Sequence, residues 1–96
     1  MSTFLTRVEL HRATEQDYEN LHAFMGQESF SVYIRADDGT SYKLPPAEYY
    51  LGGNFTVEQV REKASRAAQK TGRSFATLVS EYTRAAWIGL PAQRAA

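Results

Sequence analysis

The chain reads as an α+β domain in the order strand, helix, strand, strand, helix, strand, and three observations carry that reading. Phe30 to Pro46 alternates as a β-hairpin, Thr56 to Gly72 carries the start and stop signals of a helix, and Phe4 to Leu10 alternates as a strand. In the first strand Phe4, Thr6, Val8 and Leu10 share one face, with Leu5, Arg7 and Glu9 on the other. Thr14 then has the form of an N-cap, with Glu15 and Asp17 in the first turn, where the helix dipole favours negative charge. Tyr18, Leu21 and Met25 follow at helical spacing with Phe24 beside them, and Gly26 weakens a helix expected to end near Gln27.

The hairpin has a derivable register. Phe30, Val32, Ile34 and Ala36 alternate with Ser31, Tyr33 and Arg35, and beyond the turn Tyr42 and Leu44 alternate with Ser41 and Lys43. A loop of Asp38-Gly39 alone would set Ile34 against Lys43 and break the apolar face. A loop of Asp37-Asp38-Gly39 sets Ile34 against Tyr42 and Val32 against Leu44, with Gly39 in the left-handed position where a Cβ is costly. Between Pro45 and Thr56 a tyrosine-containing segment, Ala47 to Gly53, reads as a loop or an extension of the third strand.

Thr56-Val57-Glu58-Gln59 has the form of a capping box and Gly72 supplies a stop, so the second helix buries Val57, Val60, Ala64, Ala67 and Ala68. Lys63, Arg66 and Lys70 form a basic ridge on its far side, continued by Arg73. Ser74 to Trp87 fits either a helix or a strand. A strand to about Glu81 is preferred, because three strands and two helices leave one sheet position open. Trp87 to Leu90 then forms a short appendix, another strand or a clasp against the sheet, with a frayed end from Pro91. The whole is a ferredoxin-like βαββαβ arrangement, an antiparallel sheet with two helices on one face, in a single domain over 1–96 with its core at about 4–82 and an appendix at 83–96. The open face should carry Leu5, Arg7, Glu9, His11, Ser31, Tyr33, Arg35, Ser41 and Lys43.

Ninety-six residues without cysteine exclude a disulfide framework and a thiolate metal site. No apolar run approaches the ~20 residues of a membrane span, and Met1-Ser2-Thr3 lacks the regions of a signal peptide, so a cytoplasmic location is expected. Zero formal net charge hides a segregation: six acids against one base from Glu15 to Asp38, and five bases against one acid from Arg61 to Arg73. Such surfaces either bind nucleic acid locally, pair head to tail, or are ordinary solvated helix faces.

His11 and His22 lack a partner at the spacing of a helical zinc pair, and Asp37-Asp38 beside Gly39 is explained by the turn, so neither a metal nor a cofactor is expected. There is no phosphate loop, dinucleotide fingerprint or nucleophile elbow. Tyr33 with Arg35, Lys43 and Arg7 is a loose version of a surface on which single-stranded RNA stacks its bases and sets its phosphates. Lys63, Arg66 and Lys70 offer a second candidate RNA tract. Metal-free RNA cleavage would fall to His11 as base, with Arg7 and Arg35 stabilising the phosphate.

With Phe30-Ser31, an isoleucine strand, Asp37 and Gly39 in the turn, Leu44 beyond it and an aromatic before the capped second helix, the chain resembles the GhoS family of type V toxin-antitoxin antitoxins. The resemblance spans most of residues 4 to 82. It implies a ferredoxin-like fold and a connection to RNA, the family's activity being endoribonuclease cleavage of the toxin's messenger RNA. No catalytic residue follows from it, because Leu10-His11 stands where the nuclease branch carries an Asp, and Thr14 to Gln27 holds no Arg or Lys. The expected function is a small RNA-binding protein or endoribonuclease of antitoxin type. The alternative is a non-catalytic protein-interaction module, phage- or mobile-element-encoded, working through its acidic helix or open sheet. Leu5 and Tyr33 on an uncovered sheet, together with the opposed charges, point to a homodimer.

Overall fold

The computed structural model describes residues 1–93. The elements run β1 (Ser2–Leu10), α1 (Glu15–Gln27), β2 (Tyr33–Arg35), β3 (Ser41–Lys43), β4 (Glu48–Gly53), α2 (Val57–Gln69) and β5 (Phe75–Tyr82). An antiparallel sheet in the order β4-β1-β5 carries both helices on one face, the ferredoxin-like βαββαβ arrangement with β3 as an added hairpin strand. β1 is central and divides its backbone between two neighbours. Val8 N–H donates to Ala47 C=O at 2.9 Å and His11 N–H to Ser74 C=O at 2.8 Å, so even-numbered residues of β1 bond toward β4 and odd-numbered ones toward β5.

Helix-side packing follows the alternation. Phe4, Val8, Leu21, Met25, Tyr49, Val60, Ala64, Ala67 and Ala68 are all fully buried. Alanines on α2 let its axis approach the sheet closely, which larger side chains at those positions would prevent. Thr14 and Thr56 both form complete capping boxes, with Asp17 and Gln59 as the reciprocal partners. α1 ends in a Schellman pattern: Phe30 N–H reaches Met25 C=O and Ser29 N–H reaches Gly26 C=O, with Ser29 at φ 74° in the position glycine usually takes.

The hairpin has the register read from the sequence. Ile34 faces Tyr42, Leu44 N–H donates to Val32 C=O at 2.8 Å, and Gly39 has φ 89°. Its place differs from expectation. Ser41–Lys43 is not the third strand of the main sheet; that position belongs to β4, the tyrosine segment, and Gly52 and Gly53 end that strand rather than forming a loop. Ser31 exchanges backbone hydrogen bonds with Tyr50 at 2.7 and 2.8 Å, after which Tyr33 N–H turns to the Ser31 hydroxyl at 3.0 Å. That side-chain bond replaces the next ladder step, and β2–β3 leaves the sheet as a separate hairpin.

Residues 74–82 contain β5, as preferred from the sequence. The appendix docks on the hairpin rather than the main sheet. Lys43 N–H donates to Pro91 C=O at 2.9 Å, Gln93 N–H donates to Ser41 C=O at 2.8 Å, and the Tyr42 and Trp87 rings meet at 5.5 Å. Pro91 is therefore tied down, not frayed; the end of the expected appendix, 94–96, lies outside the described residues.

Charge segregation also resolves within the chain. Asp17 on α1 accepts from Arg73 at 2.9 Å, and Glu28 accepts from Arg66 at 3.1 Å with Lys63 at 3.7 Å. The Arg66 guanidinium beside Glu28 holds that carboxyl below its ordinary range. The acidic and basic segments thus face each other across the α1–α2 seam.

A polar link joins α1 to β4. His22 on α1 meets Tyr49 on β4, Nδ1 to hydroxyl, at 2.6 Å. Burial holds the Tyr49 phenol well above its usual range, so it meets His22 as a neutral hydroxyl. Burial, then Lys43, lowers the His22 pKa from its ordinary 6.5.

Two outcomes follow from these features. Gly39→Ala should lower the unfolding free energy by about 1–2 kcal/mol, because a Cβ is forced into the left-handed region; an unchanged urea midpoint would contradict the turn. For His22, the unfolded imidazole binds a proton near 6.5 and the folded one only at lower pH. Stability is therefore lost as pH falls from about 6.5 through the folded value. His22→Gln should flatten urea-unfolding stability between about pH 7 and pH 5 relative to the native chain.

Candidate nucleic-acid interface

β5 lies at one edge of the sheet and the hairpin flanks β4 at the other. Thr83 to Trp87 crosses between them on the face without helices, and a cleft of about 790 Å³ lies beneath this strap. Register explains its lining. Thr3 faces Tyr82 and Leu5 faces Tyr50 across β1, so both tyrosines project from the open face at one end of the sheet. Ser31 opposite Tyr50 puts Ser31, Tyr33 and Arg35 in the same alternation on the hairpin. Tyr33, Arg35, Tyr50, Tyr82, Arg84 and Trp87 all line the cleft, with Asp37 as its carboxylate.

Gly52 sets the attitude of Tyr50. A Cβ at Gly52 would lie 2.7 Å from the Tyr50 hydroxyl, so the ring extends along the strand over a position that has no side chain. Both phenol rings line the cleft, and burial raises the Tyr82 pKa above its ordinary 10.0, with Tyr50 a smaller cause. Among the described residues, neither Arg35 nor Arg84 makes an ion pair, and both are exposed.

The sequence candidates separate into several places. Tyr33 and Arg35 come together in the cleft. Arg7 lies outside it on the open face and pairs with Glu48 at 3.8 Å. His11 lies in the turn after β1, with Ser74 Oγ 3.2 Å from Nδ1 and Glu9 3.8 Å from Nε2. Arg7 and His11 thus have their own partners outside the cleft, and of the three only Arg35 lines it. Lys43 is exposed on β3 but does not line the cleft, and it acts electrostatically on His22.

On α2, Lys63 and Arg66 are held by Glu28, Lys63 also lies over the Phe55 ring at 5.2 Å, and Lys70 lies over Phe24 at 5.8 Å. Among the described residues no three His, Cys, Asp or Glu side chains gather as a metal-binding group. No helix of the described residues is long and apolar enough to cross a membrane.

Tyr50, Tyr82, Arg84 and Trp87 were not legible as site residues. Tyr50 and Tyr82 had a signal in their alternation, recoverable only once β4 and β5 are both registered against β1. Arg84 lies outside any regular element and had none. No protein-family model matches the chain, and no curated protein matches it.

The placing of both phenols in the cleft is testable. In Tyr50→Ala, the Tyr82 hydroxyl gains water and loses its neighbouring phenol, so its pKa should fall back toward 10.0 in an NMR titration of the ring carbons. An unmoved Tyr82 would contradict the arrangement.

Proposed function

We propose that the chain is a small RNA-binding protein that holds single-stranded RNA in the cleft under the Thr83–Trp87 strap. The observation that carries this reading is one concave site combining Tyr33, Tyr50, Tyr82 and Trp87 with Arg35 and Arg84. Aromatic faces accept unstacked bases, and guanidinium groups without carboxylate partners are available to phosphates. Asp37 adds an acceptor for base amino groups.

The sequence resemblance to GhoS supports RNA as the ligand and an antitoxin-type regulatory role as its use. Cleavage is not part of the proposal, because His11 lies apart from the cleft with Ser74 and Glu9 as its partners. Binding in the cleft also leaves the Lys63, Arg66 and Lys70 ridge unneeded as a phosphate tract, since two of its three cations share Glu28 as a partner. A second reading, the protein-interaction module, draws on Ile88, which stands 96% exposed beyond Trp87 in the same strap.

Fluorescence anisotropy of a labelled single-stranded oligoribonucleotide at two salt concentrations tests the proposal. Tyr33→Ala should cost about 1–3 kcal/mol through lost stacking. Arg35→Ala should weaken binding and reduce the log–log salt slope by about 0.7, one phosphate contact on a single strand. Lys63→Ala with Lys70→Ala should leave affinity nearly unchanged. Absence of binding at low salt would overturn the proposal and favour the protein-interaction module.

A further inference from the structure

β5 is bonded along one edge only, and the phase of that bonding fixes what its other edge offers. His11 N–H donates to Ser74 C=O, so Ala76, Leu78, Ser80 and Tyr82 direct their backbone groups toward β1. Phe75, Thr77, Val79 and Glu81 direct theirs outward, and among the described residues no other element pairs with them. The strand F-A-T-L-V-S-E-Y holds no proline, glycine or lysine and pairs with β1 in unbroken register, so the usual protections of a sheet edge are missing. The segment after β5 bonds to the hairpin through Pro91 and Gln93, and among the described residues none of its backbone groups bonds to this edge.

We propose that this edge pairs with the same edge of a second copy of the chain, antiparallel about a twofold axis perpendicular to the sheet. Such an axis keeps the open faces of the two copies on one side. Only the register centred on Leu78 pairs all four outward residues with one another: Phe75 with Glu81 and Thr77 with Val79, each pair occurring twice. Leu78 then faces its own copy as a non-hydrogen-bonded pair, the position where side chains approach most closely.

Independently of that bonding phase, Leu78 is the one large apolar residue of β5 left in solvent, at 67% exposure. The hydrogen-bond phase and the exposed side chain thus select the same centre. On the open face the flanking pair is Ala76 with Ser80, small enough to leave the leucines in contact. On the helix face Glu81, the only charge on the strand, comes diagonally beside Arg73 of the other copy. A formal net charge of zero leaves no overall repulsion between copies. The product is a continuous six-stranded sheet with both clefts on one face. This interface is centred on Leu78, whereas the dimer expected from sequence drew on Leu5 and Tyr33.

The chain has no cysteine, so a single introduced thiol reports the axis directly. Leu78→Cys should form a disulfide-linked dimer under mild oxidation, because the Cα separation of a non-hydrogen-bonded pair suits the bond. Ser80→Cys should not, since its copy lies several residues along the strand. In sedimentation equilibrium the native chain should pass from a 10.8 kDa species to twice that mass as concentration rises. Leu78→Lys, a change at an exposed side chain, should raise the dissociation constant about a hundredfold while circular dichroism stays native. A 10.8 kDa species alone at about 1 mM protein, equal cross-linking at both positions, or a dimer indifferent to Leu78→Lys would overturn the proposal.

Discussion

β1 is the constraint on which the other elements depend. Each of its residues commits its backbone to one neighbour, and each alternate side chain commits to one face. Phe4, Thr6, Val8 and Leu10 are at most 5% exposed and form the floor on which both helices pack. Shifting β1 by one residue would expose that set and bury Leu5, Arg7 and Glu9 in its place, so its register is strongly specified. The same shift would move Thr3 away from Tyr82 and Leu5 away from Tyr50, dissolving the cleft. Among the described residues the buried Thr6 hydroxyl has no hydrogen-bond partner.

Charge is distributed by the same logic. The pairs Asp17–Arg73 and Glu28–Arg66 join α1 to the turn beyond α2 and to the body of α2, with the carboxylates more covered than the guanidinium groups. They also bear on what remains. A segment with five basic residues reads as a phosphate-binding ridge, yet folding turns much of it against the acidic segment. The cations left without carboxylates include Arg35 and Arg84, on a short strand and a strap, where three tyrosines and a tryptophan already converge. Several aromatic rings and two guanidinium groups without ion pairs among the described residues converge in the cleft, whereas the Arg66 guanidinium on α2 is held by Glu28.

Local rules made much of this legible. The hairpin register followed from alternation plus one glycine, because a one-residue slip would have exposed Ile34. The second helix announced itself through the capping box of Thr56 and Gln59, whereas the first showed only Thr14 as an N-cap, its box partner Asp17 reading as an acid placed for the helix dipole. β4 was obscured because Tyr49 and Tyr50 are adjacent aromatics whose opposite facing shows only against β1, and because Gly52-Gly53 resembles a turn. The departure of the hairpin from the sheet hinges on a single bond, Tyr33 N–H to the Ser31 hydroxyl, which no periodicity encodes. The strap is least legible of all. Its anchors on β3 lie about fifty residues away along the chain and depend on backbone groups of Ser41 and Lys43 rather than on side-chain identity.

The most direct measurement is an amide-resolved NMR titration of the isotopically labelled chain with a short single-stranded oligoribonucleotide. Perturbations should concentrate at Tyr33, Arg35, Tyr50 and Tyr82 through Trp87, with Lys63, Arg66 and Lys70 nearly still. Shifts confined to α2, or none at saturating RNA, would contradict the cleft as the binding site.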